Sequence, residues 1–125
     1  MRRMRARLVV LPIALSLAVA ACGGGDDGGG GGGASAKPCP SDAVVIKMKD
    51  IQFAPKETSA GVGQQVCWQN EDGVDHDAVA EKGATFKSDL FGKGETFVTK
   101  LDKPGRIEYV CTIHPGMTGT IDVSR

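Results

Sequence analysis

Histidine is scarce in this sequence: the 125 residues contain two, together with one Trp and one Tyr. Two imidazoles are too few for an enzyme that carries two separate histidine-rich metal centres. The chain also lacks an excess of basic residues, because 15 Lys and Arg balance 15 Asp and Glu. Nucleic-acid binding calls for a basic patch, so we expect no nucleic acid partner.

The sequence also lacks an apolar run of membrane-spanning length, since the run from Leu8 to Ala21 is shorter than the about 20 residues required. Four Arg precede this run, and together they predict a secretory signal over residues 1–21. Residues 19–22, Val-Ala-Ala-Cys, resemble the lipobox of bacterial lipoproteins. The resemblance implies a diacylglyceryl group on Cys22, whose two acyl chains would hold the protein in a lipid bilayer. A secreted protein with a free Cys22 is the alternative.

The remaining chain divides into a linker and one domain. Removal of residues 1–21 takes away four basic residues and no acidic ones, which leaves a net charge of −4. Residues 22–37 comprise Cys22 and a linker that holds half of the 18 Gly, a composition typical of flexible coil. Residues 38–125 form the domain. We expect an exported monomer, anchored to the outer face of the cytoplasmic membrane or facing the periplasm in a bacterium.

The pattern of residues 38–125 predicts an all-β fold. No segment has a convincing helical period, although residues 87–91 could form one helical turn. Strands are predicted at 43–48, 65–69, 76–81, 95–101, 106–111 and 118–123. Turns rich in Gly and Pro separate these segments, and many short strands are typical of a sandwich or barrel. Trp68, Phe97 and Tyr109 are expected in the core.

One short run combines three kinds of metal ligand. Cys111, His114 and Met117 follow the spacing Cys-x2-His-x2-Met, and His76 supplies a second imidazole upstream. Two His, one Cys thiolate and a weak Met thioether form the ligand set of a blue-copper electron-transfer site. Zinc rarely takes a thioether, and Ca²⁺ and Mg²⁺ require oxygen ligands. We therefore predict one copper ion; a buried thiol, a surface His and a gap-filling Met are the alternative.

Two cysteines remain after Cys22 and Cys111 are assigned, namely Cys39 and Cys67. Disulfides form in exported proteins, so we expect these two residues to be bonded. Closing the loop between them would stabilise the fold by roughly 3–4 kcal/mol. Two free thiols are one alternative, and a structural zinc site that also uses Cys111 and His114 is another.

Taken together, these segments resemble the cupredoxin family, in its plastocyanin and amicyanin branch. The resemblance covers most of residues 44–124 and rests on residues 53–55, 63–70, 94–97, 104–105 and 109–119. It implies a Greek-key β-sandwich of about seven to eight strands. It also implies one-electron transfer between redox proteins, with the copper held by His76, Cys111, His114 and Met117.

The resemblance further implies roles for the neighbours of the ligands. The family often has Asn directly after the first His, where it braces the Cys loop; here that position is Asp77, and the loop residue beside Cys111 is Thr112. A carboxylate accepts hydrogen bonds but cannot donate them, so the sequence leaves this brace in question. His114 and Pro115 are expected at the surface, where partners would dock.

Two other functions compete with electron transfer. A multicopper enzyme of this fold would need further His, so we expect no enzymatic activity. A copper-binding protein for delivery or storage is the more serious alternative. Such proteins tend to have surfaces rich in Met and His, whereas only Met48 and Met117 remain here once the signal is removed.

Overall fold

The computed structural model describes residues 33–125, which contain eight strands and no helix. The strands are β1 (Val44–Lys49), β2 (Gln52–Ala54), β3 (Glu57–Gly61), β4 (Gln65–Asn70), β5 (Val79–Lys82), β6 (Thr96–Lys100), β7 (Gly105–Val110) and β8 (Thr118–Ser124). The all-β prediction is therefore confirmed. Among the same residues, no helix has the length and hydropathy needed to cross a bilayer.

The strands form two four-stranded mixed sheets. The first has the order β2-β1-β4-β6 and the second the order β3-β8-β7-β5. β1 runs parallel to β4, and β3 runs parallel to β8, while the other neighbours are antiparallel. Parallel neighbours cannot be joined by a tight hairpin, so the chain crosses between the sheets, as expected for a sandwich.

The core lies between the sheets and is built by the inward faces of alternating strand residues. Trp68, Phe97 and Tyr109 are all buried, as predicted, and the Trp68 ring centroid lies 5.6 Å from that of Phe97 and 5.4 Å from that of Tyr109. Tyr109 packs so closely over β8 that a Cβ at Gly119 would overlap its ring and hydroxyl. This contact fixes the inner face of β7, the strand that leads into Cys111.

Three local predictions from the sequence were wrong. β2 and β3 were not predicted, although β3 pairs with β8 over five residues from Glu57 to Gly61. Residues 87–91 form no helical turn, because Phe91 is extended and pairs with His76. β5 begins at Val79 and not at residue 76. In each case long-range backbone pairing decides the conformation and overrides the local pattern.

Backbone pairing with the domain begins before the expected boundary at residue 38. Ser35 and Thr96 exchange two backbone hydrogen bonds of 2.9 and 2.8 Å, and the Thr96 hydroxyl donates to the carbonyl of Lys37 at 2.7 Å. The segment therefore extends the first sheet beyond β6. The predicted signal, Cys22 and most of the linker lie outside the described residues.

Cys39 and Cys67 form a disulfide that ties the segment before β1 to the middle of β4. Neither sulfur can therefore serve as a zinc ligand together with Cys111, which rules out the mixed zinc site. Within residues 33–125, Cys111 is the one free cysteine, and it is buried. The bond accounts for both cysteines that the metal prediction left over.

Candidate metal centre

The loop between β7 and β8 brings Cys111 and Met117 to face each other. The backbone N–H of Cys111 donates to the carbonyl of Met117 at 2.9 Å, and the N–H of Met117 donates to the carbonyl of His114 at 3.1 Å. Gly116 adopts a left-handed conformation, with φ of 85°, that favours glycine. The short Pro-Gly turn thus closes the loop and leaves the Cys111 and Met117 side chains buried.

His76 reaches the same end of the sandwich from the connection that follows β4. It pairs with Phe91 through two backbone hydrogen bonds of 3.1 and 2.9 Å. The Asn70 side chain shapes this connection, since its amide donates to the carbonyls of Val74 and Phe91 at 2.9 Å each. The His76 ring is completely buried, so its orientation is fixed by packing as well as by hydrogen bonds.

Three side chains from these two segments converge on one point. His76 Nδ1 lies 3.1 Å from His114 Nδ1 and 3.8 Å from Cys111 Sγ, and His114 Nδ1 lies 3.4 Å from Cys111 Sγ. A first-row metal ion binds nitrogen and sulfur at about 2.0–2.3 Å, so a trigonal site spaces its donors roughly 3.5–3.8 Å apart. The 3.8 Å separation lies in this range and the 3.1 and 3.4 Å separations are somewhat shorter, so the three donors are close enough together to share one ion. The donor types are those of a copper site.

The structure brings together the ligands that the sequence predicts. His76, Cys111 and His114 are, within residues 33–125, the one group of three or more His, Cys, Asp or Glu residues placed to hold a metal. Met117 is buried at the end of the same loop. Cys22, the predicted lipidation site, lies outside the described residues.

Asp72 is a functional residue that the sequence analysis missed. Nδ1 of His76 faces the other two candidate ligand atoms, on His114 and Cys111. The opposite ring nitrogen therefore carries the hydrogen, and Nε2–H donates to Asp72 Oδ2 at 2.8 Å. The same carboxylate accepts from the backbone N–H groups of Asp50 and Ile51, in the turn between β1 and β2, at 2.8 and 2.9 Å. Such a carboxylate fixes both the tautomer and the orientation of a metal-binding His. Its position four residues before His76 is the only signal in the sequence.

The hydrogen bonds of Asp72 also determine its charge. Burial acts to raise the pKa of its carboxyl, but the Ile51 N–H, the His76 ring and the Asp50 N–H together outweigh burial and hold the pKa below its ordinary value of 3.8. The carboxylate is therefore ionised at neutral pH and is matched to a His that donates from Nε2.

Asp77 does brace the Cys loop, entirely as an acceptor. The backbone N–H of Thr112 donates to Asp77 Oδ1 at 2.6 Å, and the Thr112 hydroxyl donates to Oδ2 at 2.5 Å. The question left by the sequence is thus answered by Thr112, which supplies both donors. The connection that carries His76 and the loop that carries Cys111 are thereby held together.

The Cys111 thiol lies in surroundings that disfavour its free thiolate. Burial is the largest cause of its raised pKa, and the Asp77 carboxylate raises it further, while the backbone N–H groups of Asp77 and Ile113 act in the opposite direction. A bound metal ion deprotonates a coordinating thiol outright. Cys111 therefore fits a metal ligand better than a reactive surface nucleophile.

One side of the centre faces solvent. His114 is only partly buried, in contrast to His76, and Pro115 beside it is exposed. Exposed apolar side chains occur on the segments around the ligands, among them Ile113 in the loop itself, Val74 before His76 and Leu90 before Phe91. The surface beside His114 is therefore accessible and includes the apolar side chains of Ile113 and Pro115.

Comparison with known proteins identifies several similar chains. A family model described as copper binding proteins, plastocyanin/azurin family, matches residues 41–124. An amicyanin of Paracoccus versutus is 27% identical over 93 residues, which span 71% of this chain and 70% of that protein. A plastocyanin of Ginkgo biloba is 29% identical over 89 residues, which span 60% of this chain and 90% of the relative.

Solved structures agree on the fold. An amicyanin variant in its oxidised state superposes with a TM-score of 0.69 at 23% identity, covering 76% of this chain and 95% of that one. A Cu(I) form of another amicyanin variant gives a TM-score of 0.67 at 24% identity, with coverage of 72% and 90%.

Proposed function

This chain belongs to the plastocyanin/azurin family of copper-binding proteins, and we propose that it carries single electrons between redox proteins. Its cofactor is copper, and His76, Cys111, His114 and Met117 form a type 1 site. The observation that carries the proposal is the convergence of two imidazole nitrogens and one thiol sulfur within 4.8 Å of one another. When bound, copper supplies a one-electron couple, Cu(I)/Cu(II).

The protein contributes a rigid cage. Asp72 fixes the ring of His76, and Asp77 fixes Thr112 and with it the loop that holds Cys111. Because these side chains are fixed by hydrogen bonds, the copper ligands would keep nearly the same positions with Cu(I) and Cu(II). Less structural rearrangement would then accompany electron transfer. Because His76 and Cys111 are buried, water is kept away from that side of the site.

His114 is the proposed route by which electrons enter and leave. Its partial exposure and the apolar neighbours Ile113 and Pro115 favour close approach of a partner protein without a large desolvation cost. Contacts between redox partners are typically small and transient. The proposed partners are therefore a donor protein and an acceptor protein, each docking in turn on this surface, and the carrier itself is a monomer.

The proposed location is the outer face of a bacterial cytoplasmic membrane or the periplasm. The support comes from the sequence, namely the signal over residues 1–21 and the lipobox-like residues that end at Cys22. A tether of residues 22–37 would hold the domain near the membrane while allowing it to turn between partners. Metabolic labelling with a radioactive fatty acid tests the anchor, since Cys22→Ser should abolish incorporation.

The decisive test of the copper assignment is a visible spectrum of the protein loaded with Cu(II). We expect an intense charge-transfer band from the Cys111 thiolate and a stoichiometry of one copper. Cys111→Ser should abolish the band, whereas the matched variant Cys22→Ser, which alters a cysteine outside the site, should keep it. An unchanged band in the Cys111→Ser protein would refute the assignment.

Copper delivery or storage remains the competing function, and kinetics separates it from electron transfer. A carrier should exchange electrons rapidly while retaining its metal against a chelator, because its ligands are largely buried. Rapid loss of Cu(I) to a chelator, together with slow electron exchange, would favour delivery instead.

A further inference from the structure

Asp77 places a buried carboxylate between the two segments that hold the metal ligands. It follows His76 directly in the chain, and its side chain contacts Thr112, the residue after Cys111. The residue is only 5% exposed. The Asp77 carboxylate therefore lies near both His76 and Cys111, and it is largely shielded from solvent.

The geometry of these contacts is that of an ionised carboxylate. Both oxygens accept a hydrogen bond from Thr112, at 2.6 and 2.5 Å. A protonated carboxyl would have to donate from one of its oxygens, whereas here both oxygens act as acceptors. None of the ion pairs formed within residues 33–125 includes Asp77. The negative charge is thus hydrogen-bonded, yet no cation neutralises it.

A fixed negative charge acts differently on the two oxidation states of the proposed centre. With one thiolate ligand, the metal and its ligands carry a net charge of +1 with Cu(II) and zero with Cu(I). Attraction to a neighbouring carboxylate therefore stabilises the oxidised state alone, and the attraction is stronger in a buried site than in water. The electron itself comes from a donor protein and passes to an acceptor protein.

We propose that Asp77 is a positioning residue that sets a low reduction potential, through its charge, for the type 1 site. The inference rests on the proposed function, because it presupposes copper at that site. Asn at this position would preserve the shape of the side chain without the charge. The difference between Asp and Asn here thus adjusts the potential at which this carrier works.

A second role of Asp77, bracing the Cys111 loop, must be separated from the effect of its charge. Asp77→Asn removes the charge and keeps an acceptor for the Thr112 N–H. Thr112→Val removes the hydroxyl donor and keeps the carboxylate. If charge sets the potential, Asp77→Asn raises it and Thr112→Val does not. If looseness of the loop sets the potential, both variants shift it in the same direction.

The experiment is voltammetry of the copper-loaded protein, with the visible band recorded on the same samples. Asp77→Asn should raise the ratio of reduced to oxidised protein at a fixed electrode potential at least tenfold, equivalent to about 59 mV for one electron. The matched control is Asp75→Asn, which makes the same substitution at the exposed residue on the other side of His76. The control should leave the potential nearly unchanged.

Two outcomes would overturn the inference. The first is that Asp77→Asn and Asp75→Asn have the same reduction potential. The second is that Thr112→Val also raises the reduction potential. If Asp77→Asn fails to bind copper, Thr112→Val still decides: loss of the hydroxyl donor leaves the Asp77 charge less offset and should lower the potential, whereas a rise would overturn the inference. Absence of the visible band in the wild-type protein would instead refute the proposed function, so the two failures are distinguishable.

Discussion

At the scale of single residues, carboxylates control the orientation of the ligands. Asp72 holds the ring of His76 from the side opposite the metal donors and ties it to the turn between β1 and β2. Asp77 performs a similar task for Thr112 in the Cys loop. Partners of this kind orient metal ligands and tune their basicity, so these two acidic residues should affect the metal centre although neither is a ligand.

Asp72 should make the stability of the metal-free protein depend on pH. Because its pKa in the folded state is lowered from 3.8, its stabilising contribution is present above that pH and disappears as the pH falls through the folded-state value. Asp72→Asn should cost about 1–3 kcal/mol at neutral pH, and the cost should be smaller at an acidic pH below 3.8, where the contribution is being lost. Urea unfolding at both pH values measures this. A cost of equal size at both would contradict the assignment.

At the scale of elements, the disulfide joins the irregular segment before β1 to a strand of the first sheet. Cys39 lies in the irregular segment before β1, whereas Cys67 lies in the middle of β4, in the first sheet. Farther from β1, Ser35 pairs with Thr96 at the outer edge of β6. The bond therefore anchors the entry of the chain to the strand that leads towards His76.

Removal of the disulfide should destabilise the domain without removing a metal ligand. The bond closes a loop with a sequence separation of 28, and in the chain-entropy model such a loop contributes about 3–4 kcal/mol. We expect the double variant Cys39→Ser with Cys67→Ser to lose this amount in urea unfolding of the metal-free protein. Cys111→Ser, which removes a thiol but no crosslink, is the control. A loss no larger than that of the control would count against the stabilising role.

At the scale of the whole molecule, the two ends of the sandwich differ. β4 runs from Gln65 to Asn70 towards the metal centre, so the turn before β4, with the exposed Val62, lies at the other end. Ile113 is similarly exposed, at 46% against 42% for Val62, but sits in the loop that carries His114. The two residues therefore offer a matched comparison between the proposed docking end and the distal end.

Electron self-exchange between oxidised and reduced copies of the protein tests whether docking takes place at the His114 end of the sandwich. The experiment requires no known partner. Ile113→Asp should slow self-exchange at least about tenfold, equivalent to about 1.4 kcal/mol, because it places a charge where two copies must meet. Val62→Asp should have little effect, and both variants should keep the visible band. Equal slowing by the two substitutions would argue against docking through the His114 surface.

The sequence by itself determined the donors and much of their arrangement. Cys111, His114 and Met117 lie within one short loop, so chain connectivity alone keeps them close, and Pro115 with Gly116 supplies the turn. The all-β pattern and the core positions of Trp68, Phe97 and Tyr109 were likewise predictable, because alternation along a strand reflects which face is buried.

Tertiary structure alone decided everything that depends on pairing between distant segments. The contacts of Asp72 with the turn after β1, the pairing of His76 with Phe91 and the two hydrogen bonds from Thr112 to Asp77 join residues 15 to 35 or so positions apart. β3 exists because β8 lies beside it. The physical reason is that hydrogen-bond partners of this kind are chosen by sheet register and loop packing, which no local periodicity encodes.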